Sequence, residues 1–505
     1  MNLATARAAQ RAREIGVRKV LGASQSQLVR QFLGESVIFT AIALVLAIGL
    51  MELALRFTPI GTLMGKEHLL SAFREPLVLG GVLVLGVLVA FVAGLYPAFY
   101  LSTISPLAAL THVKRSWRVG LSMRQVLVFA QLAISIAVIA CTLLMNDQMR
   151  YVHSLPLGFD KENRLLVTLR TFDVVKNLTT IKNELRRVPN VLDVSNISLA
   201  PGLGNAQNLI PIETNDGVFE PTEVDMVAVG INFTEAFNVP VVAGRTFSED
   251  IATDGREAIL VNESMVRKMG WSDPIGKRWQ AGPFIVKVIG VVKDFHYASL
   301  HNAIGPLVLR PIPDDVGNVP DALKDYTTMN LVISVSGEGL PDTVNAIEKI
   351  VRHFDPRSDF EPDFLEDRLD ALYRSENDLM KLTGIFAVIC IFISVMGLFG
   401  LTAFTTEERT REIGIRKVLG ASDRQIIGML SKPLLVLILI AAIPATFASY
   451  RAIDTWLQRF AYHTTISVLT FVIATALVTA VALLTVALQS RKTAQAEPVE
   501  SLRYE

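Results

Sequence analysis

The chain has 505 residues, of which 51% are hydrophobic and only 19% are charged. Soluble domains average roughly 45–50% apolar and about 25% charged residues, so this composition favours a membrane protein and excludes a disordered, collagen-like or disulfide-rich chain. The net charge is zero, because 48 Lys and Arg balance 48 Asp and Glu, but the charge is unevenly distributed. Residues 147–381 hold 24 basic and 35 acidic residues, whereas the rest of the chain holds 24 basic and 13 acidic ones.

Six stretches of the sequence are long and apolar enough to be predicted as transmembrane helices. A helix needs about 20 apolar residues to cross the hydrocarbon core of a bilayer. Buried helices of a soluble protein are the weaker alternative, because six such runs in one chain are rare among soluble folds. Glu35 and Glu52 lie near the two ends of the first span, where water and headgroups reach them. The spans are predicted over residues 33–55, 77–101, 125–146, 382–406, 433–450 and 464–488.

The Lys and Arg residues predict the orientation, because cytoplasmic loops of membrane proteins are enriched in them. Nineteen fall in 1–32, 107–124, 407–432 and 491–505, and only five fall in the alternate loops 56–76 and 451–463. We therefore predict that both termini are cytosolic, together with the segments 1–32, 102–124, 407–432 and 489–505. The loops 56–76 and 451–463 and the residues 147–381 are predicted to be external.

Residues 147–381 are predicted to form one large external domain. Short β-rich runs, such as RLLVTLR at 164–170, alternate with stretches of helical period, such as 343–354. A single helix is predicted from about residue 364, through Tyr373, into the span that starts at 382. Cys141 and Cys390 fall in predicted spans, so no disulfide is expected in this domain. The predicted fold class is an α-helical integral membrane protein, with six transmembrane helices and one large extracytoplasmic α+β domain.

A twelve-residue segment occurs twice in the chain. Residues 13–24 read REIGVRKVLGAS and residues 411–422 read REIGIRKVLGAS, identical at 11 of 12 positions. As a helix, the first copy pairs Glu14 with Arg18 four residues on, and the second pairs Glu412 with Arg416. Each copy then has a glycine that ends the helix, followed by a Ser and Gln spaced as a capping box for the next helix. We interpret each copy as a short basic helix at the inner membrane surface that turns sharply into a transmembrane helix.

Two roles are open for these repeated segments. A basic amphipathic helix can serve only as an anchor that contacts lipid headgroups. Anchoring requires charge but no fixed sequence, however, and the two copies are nearly identical. We therefore favour a specific docking role.

No catalytic pattern is found in the sequence. There is no G-x-x-x-x-G-K-[ST] loop for phosphate, no G-x-S-x-G and no H-E-x-x-H. The stretch Lys293-Asp294-Phe295-His296, with His301 nearby, lacks a visible third ligand for a metal, so we interpret it as strand-end and turn residues. We predict no catalytic, cofactor or metal site, and a membrane-bound enzyme is disfavoured.

These motifs make the chain resemble the FtsX-like, MacB-type permeases of bacterial ABC transporters. Three stretches of the external domain also resemble sequences of this family, at 259–278 (ILVNESMVRKMGWSDPIGKR), 288–308 (VIGVVKDFHYASLHNAIGPLV) and 363–376 (DFLEDRLDALYRSE). The resemblance implies that the repeated segments are coupling helices that bind a separate cytosolic ATPase. It assigns that role to Arg13, Glu14, Arg18, Lys19, Gly22 and Ser24, and to Arg411, Glu412, Arg416, Lys417, Gly420 and Ser422.

The resemblance also implies a location in the bacterial inner membrane, and export of a peptide, drug or lipid-linked substrate. The chain itself is expected to need no cofactor, because ATP binds to the partner ATPase. The resemblance further implies contact with the lipid bilayer, and a periplasmic adaptor or a second permease chain as partner. No nucleic-acid partner is expected. The alternative function is a regulator that transports nothing and activates an extracytoplasmic partner, such as a cell-wall hydrolase. Relative to the eight-span members of the family, the chain is expected to be truncated at its N-terminus.

Overall fold

The computed structural model describes residues 18, 21–57, 76–103, 123–169, 174, 177–200, 202, 207–281, 284–312, 329–356 and 360–494. The chain divides into two compact units. The helical unit comprises Met1–Met145, Met380–Ile453 and Ile466–Glu505. The α+β unit comprises Asn146–Leu379 together with the short segment Asp454–Thr465.

The described residues form thirteen helices. They are α1 (Gln25–Phe57), α2 (Pro76–Thr103), α3 (Met123–Ser154), α4 (Leu178–Leu185), α5 (Phe233–Ala236), α6 (Asp254–Glu257), α7 (Glu263–Met269), α8 (Leu340–Phe354), α9 (Leu365–Leu372), α10 (Arg374–Glu408), α11 (Thr410–Val418), α12 (Asp423–Leu457) and α13 (Val468–Ala494). Five of them, α1, α3, α10, α12 and α13, are long and apolar enough to cross a membrane, and α2 contains the shorter apolar helix Pro76–Phe91. The protein is therefore a multi-pass membrane protein.

Large apolar side chains cover the outside of the helical unit. Phe386, Phe392 and Phe447 are each more than half exposed. Inside, the hydroxyl groups of Ser135 on α3 and Ser394 on α10 share a hydrogen bond of 2.8 Å. Small residues are common where transmembrane helices approach closely, and an extensive apolar exterior suits lipid rather than water. The fully buried residues of this unit include Leu132, Ile136, Ala140, Ala441, Ala474 and Ala482.

The α+β unit is built on one sheet of eleven strands. They are β1 (Arg164–Leu169), β2 (Val191–Ile197), β3 (Gln207–Glu213), β4 (Phe219–Gly230), β5 (Val241–Gly244), β6 (Ala258–Asn262), β7 (Arg278–Ala281), β8 (Phe284–Val292), β9 (Leu307–Ile312), β10 (Met329–Val335) and β11 (Asp363–Phe364). Their order is β11-β1-β10-β2-β4-β3-β7-β8-β6-β9, with β5 paired to β8. The predicted fold class, a helical membrane protein with one large α+β domain, is confirmed.

Strand β4 connects two parts of this sheet. Its first half pairs antiparallel with β3, from Phe219 to Asp225, and its second half pairs parallel with β9, from Asp225 to Gly230. Because β9 also pairs with β6, the strands β4, β3, β7, β8, β6 and β9 form a closed ring of pairings. Ring closure removes the exposed strand edges that otherwise favour aggregation.

Three hydrophobic clusters hold the α+β unit together. The first contains the aromatic rings of Phe233, Phe237 and Phe295, whose centroids lie 4.8 to 6.1 Å apart. The second packs α4 and α8 against β1, β2 and β10, and α8 contributes Thr343, Ile347 and Val351 at helical spacing. The third surrounds Met265, Trp271 and Trp279.

The prediction of a single helix from residue 364 to 380 is wrong. Helix α9 ends at Leu372, and Tyr373 adopts a non-helical conformation with φ −106° and ψ 14° before α10 begins at Arg374. The hydroxyl of Tyr373 accepts a hydrogen bond of 2.8 Å from the backbone N–H of Leu300. This long-range contact accompanies the break and is invisible in the local helical pattern.

Candidate functional site

Each of the two repeated segments contains a tight turn that leads into a long helix, and we call this region an elbow. The first elbow is residues 13–28, of which residue 18 and residues 21–28 are described, and the second is residues 411–426. In the second elbow, α11 ends at Val418 and α12 starts at Asp423. Arg13, Glu14 and Lys19 lie outside the described residues, as does the side chain of Arg411.

A glycine in a left-handed conformation makes the turn of each elbow. Gly22 has φ +94° and Gly420 has φ +89°. The backbone N–H that follows donates to a carbonyl five residues earlier, from Ala23 to Arg18 at 3.0 Å and from Ala421 to Arg416 at 2.9 Å. This bond closes a Schellman-type helix end, for which glycine is preferred because a side chain at positive φ is strained. The predicted glycine stop is confirmed in both copies.

A capping box starts the helix after each turn. The side chain of Gln27 accepts from the backbone N–H of Ser24 at 3.0 Å, and Gln425 accepts from Ser422 at the same distance. In the first elbow, the Ser24 hydroxyl also accepts from the backbone N–H of Gln27 at 3.4 Å. These contacts satisfy N–H groups that have no partner within the helix. The same turn is therefore built twice from the same residues.

The motif arginine bonds across the turn in both elbows. Arg18 Nη1 donates to Gln31 Oε1 at 3.1 Å, and Arg416 Nη1 contacts Met429 Sδ at 2.9 Å. Gln31 and Met429 occupy the same position of the repeat, 13 residues after the arginine. The arginine therefore links the short helix to the long helix that follows it.

Two ion pairs lie within the second elbow. Arg416 Nη2 lies 2.8 Å from Glu412 Oε1, the ion pair that the sequence predicts. Lys417 Nζ lies 3.4 Å from Asp423 Oδ1, across the turn. The first elbow has Gln25 in place of Asp423, so it lacks the acidic partner at this position. Both ion pairs are partly exposed and each contributes at most a few tenths of a kcal/mol, about 0.3–0.5 for a helical pair.

The tip of each elbow is apolar. Leu21 and Leu419, at equivalent positions, are both 81% exposed. Leu28 and its counterpart Ile426 are buried. The turn between Leu21 and Leu28 separates their environments. The exposed tips can make apolar contacts with lipid or with a protein surface.

The Lys293–His296 stretch and His301 have structural contacts in the α+β unit. Asp294 accepts from the backbone N–H of Ser264 at 2.9 Å and pairs with Arg267 at 2.6 Å. Burial lowers the pKa of His296, and the nearby Asp294 opposes this shift. His301 Nε2 lies 3.4 Å from Glu376 Oε1. In the part of the chain that the structure describes, no three His, Cys, Asp or Glu side chains are placed to hold a metal ion.

The apolar helices, the α+β unit and the duplicated elbows define a membrane protein of the permease class. Residues 1–106 and residues 384–498 match the model of the FtsX-like permease C-terminal family, so one model recognises both copies of the repeat. Residues 127–350 match the model of the MacB-like periplasmic core domain. The two models together match most of the chain. The chain belongs to the FtsX-like permeases with a MacB-like periplasmic core domain, and is an ABC transporter permease of this type.

Individual relatives are distant. The chain is 27% identical over 198 residues to the pyoverdine export ATP-binding/permease protein PvdT of Pseudomonas putida, a match that covers 39% of this chain and 30% of that protein. It is 20% identical over 302 residues to the uncharacterized ABC transporter permease YknZ of Bacillus subtilis, a match that covers 57% of this chain and 72% of that protein. Among solved structures, the crystal structure of the periplasmic region of MacB from Actinobacillus actinomycetemcomitans matches with 14% sequence identity and a TM-score of 0.31. The match covers 43% of this chain and 94% of that chain. The chain thus spans only about a third of the length of the pyoverdine-export relatives.

Proposed function

We propose that this chain couples ATP hydrolysis by a separate cytosolic ABC ATPase to movement of the α+β unit, and so drives export across the bacterial cytoplasmic membrane. In this arrangement both termini and both elbows are cytosolic, and the α+β unit is external. The chain binds no ATP itself, which agrees with the lack of a phosphate-binding loop in its sequence. The substrate class is a peptide, a drug or a lipid-linked molecule.

The observation that supports the proposal is the construction of the two elbows. Both have the same glycine turn, the same Ser–Gln cap and the same arginine contact across the turn. Contact with lipid headgroups does not require such a defined shape. Two matching surfaces in one chain suit a partner that presents the same groove twice, as a two-fold symmetric dimer of ATPase subunits does.

Substitution of the turn glycines tests the proposal. We expect Gly22→Ala combined with Gly420→Ala to weaken the bound elbow shape, because a left-handed alanine costs about 1–2 kcal/mol per residue. At 1.4 kcal/mol per tenfold, each substitution lowers ATPase affinity by about 5- to 30-fold. The measurement is co-purification of full-length chain with each ABC ATPase of its source organism, co-expressed one at a time.

The matched control is Gly428→Ala. Gly428 lies in α12, and a Cβ added there meets no atom within 4 Å. This variant should keep the ATPase at wild-type levels, and all variants should reach the membrane in equal amounts. Normal ATPase association by the double glycine variant would show that the elbows are only anchors.

A further inference from the structure

The loop between α12 and α13 is part of the α+β unit, although both helices belong mainly to the helical unit. We propose that a clasp formed by Gln148, His296, His301, Tyr373, Phe460 and Tyr462 holds this loop against the rest of the α+β unit. The clasp is tested independently of the proposed function.

Gln148, near the end of α3, ties down the backbone of the loop. Its Nε2 donates to the carbonyl of Tyr462 at 3.0 Å, and its Oε1 accepts from the backbone N–H of Thr464 at 2.8 Å. The side chain is completely buried, with 0% exposed. A buried amide is unfavourable unless its donor and acceptor are both satisfied. Release of the loop would remove both partners at once, so the buried amide favours the docked loop.

Tyr462 makes a second set of contacts, with the segment that follows β8. Its hydroxyl accepts from the backbone N–H of Ile304 at 3.2 Å. Its ring meets the ring of His296 edge to face, with centroids 4.8 Å apart and an interplanar angle of 84°. An edge-to-face pair at this separation is a favoured aromatic geometry.

The ring of His301 stacks with two aromatic rings. It lies 4.4 Å from Phe460 and 5.8 Å from Tyr373, with interplanar angles of 24° and 19°. Glu376, in the first turn of α10, lies 3.4 Å from His301 Nε2. Residues from α3, from the segment after β8, from the α9–α10 junction and from the α12–α13 loop therefore meet at one place.

Hydrogen–deuterium exchange of the full chain in lipid nanodiscs tests the contact. We expect Gln148→Leu and the double variant Phe460→Ala, Tyr462→Ala to speed exchange by about tenfold or more in peptides covering 296–305 and 458–466, because their N–H groups lose their acceptors. Peptides from β10 and α8 report on the fold and should not change. Tyr462→Phe keeps the ring but removes the hydroxyl, so it should speed exchange only at the backbone N–H of Ile304. The control is His463→Ala, an exposed residue of the same loop.

Distance measurements test whether the loop stays docked. Nitroxide labels at Glu249→Cys and at Arg459→Cys, an exposed residue of the loop, can be introduced with Cys141 and Cys390 replaced by Ala. We expect a narrow distance distribution in the parent and the His463→Ala control, and a broad one in the clasp variants. Unchanged exchange, or faster exchange with an unchanged distribution, would overturn the proposal. ATPase co-purification requires the elbows but not the clasp, so it should be normal in the clasp variants. If the parent chain itself does not co-purify with an ATPase, the proposed function is refuted but the clasp is not.

Discussion

In the α+β unit, the carboxylate of Asp254 is almost completely buried, with 2% of its side chain exposed. Arg245 donates to both carboxylate oxygens, at 2.5 and 2.8 Å, and the backbone N–H of Ser248 donates at 3.1 Å. The hydrogen bonds from Arg245 lower the pKa of Asp254 below its ordinary value. The folded state is therefore favoured while Asp254 is ionised. This contribution is complete above the unfolded pKa of about 3.9 and is lost as the pH falls through the lower folded value.

We predict that Asp254→Asn lowers the free energy of unfolding by about 1.5–3 kcal/mol at pH 7, the typical contribution of hydrogen bonds to a charged group. The deficit should shrink as the pH falls below about 4, because the carboxylate of the unfolded state becomes protonated there, and it should vanish only below the lowered pKa of the folded state. The free energy of unfolding is measured by denaturant unfolding of the full chain in detergent, monitored by the fluorescence of the buried Trp271 and Trp279. Asp250→Asn removes an exposed carboxylate nearby and should change little. An equal deficit at pH 7 and pH 3.5 would contradict the role of ionisation.

At the scale of the elements, local pattern predicted more than long-range pairing did. The strand at 164–169 and the helix that ends at Phe354 lie where alternation and helical period placed them. The glycine turn and capping box were also predictable, because each depends on residues only a few positions apart. The ring of strands and the break at Tyr373 were not, because they depend on contacts such as Asp225 with Leu307 that lie far apart in sequence. The contact of Arg416 with Met429 was missed for the same reason.

The second elbow yields a prediction about its arginine. The double swap Glu412→Arg, Arg416→Glu keeps the net charge and an ion pair, but a glutamate at 416 cannot donate to Met429. We expect normal membrane insertion and weaker ATPase association. Each charge-assisted contact with the ATPase that the swap removes costs about 1.5–3 kcal/mol, which corresponds to roughly one to two orders of magnitude in affinity. Co-purification with the ATPase is the measurement.

A second ion pair provides the matched control for this swap. Glu52 and Arg56 also lie four residues apart on a long helix, at 3.1 Å, but at the opposite end of α1 from the first elbow. The corresponding swap, Glu52→Arg with Arg56→Glu, should leave ATPase association unchanged. If both swaps behave alike, the charges of the elbow have no special role.

For the molecule as a whole, the distribution of charge determines how it sits in the membrane. The α+β unit lies almost entirely within the acidic region 147–381, whereas the elbows lie in strongly basic segments. Lys and Arg are retained on the cytoplasmic side during insertion. Each external and cytosolic assignment therefore follows from the same bias. A single inverted segment would require an even number of spans between it and each neighbouring loop.

We predict that an impermeant thiol reagent applied to intact cells, after permeabilisation of any outer membrane, labels Glu249→Cys and Ser467→Cys but not Ser26→Cys or Arg424→Cys. All four residues are exposed, so protection reports the membrane and not burial in the protein. The background carries Ala at Cys141 and Cys390, which removes labelling of the native thiols. Cell lysis should make Ser26→Cys and Arg424→Cys reactive, which controls for their accessibility. Labelling of either in intact cells would place that elbow outside and remove it from any cytosolic ATPase.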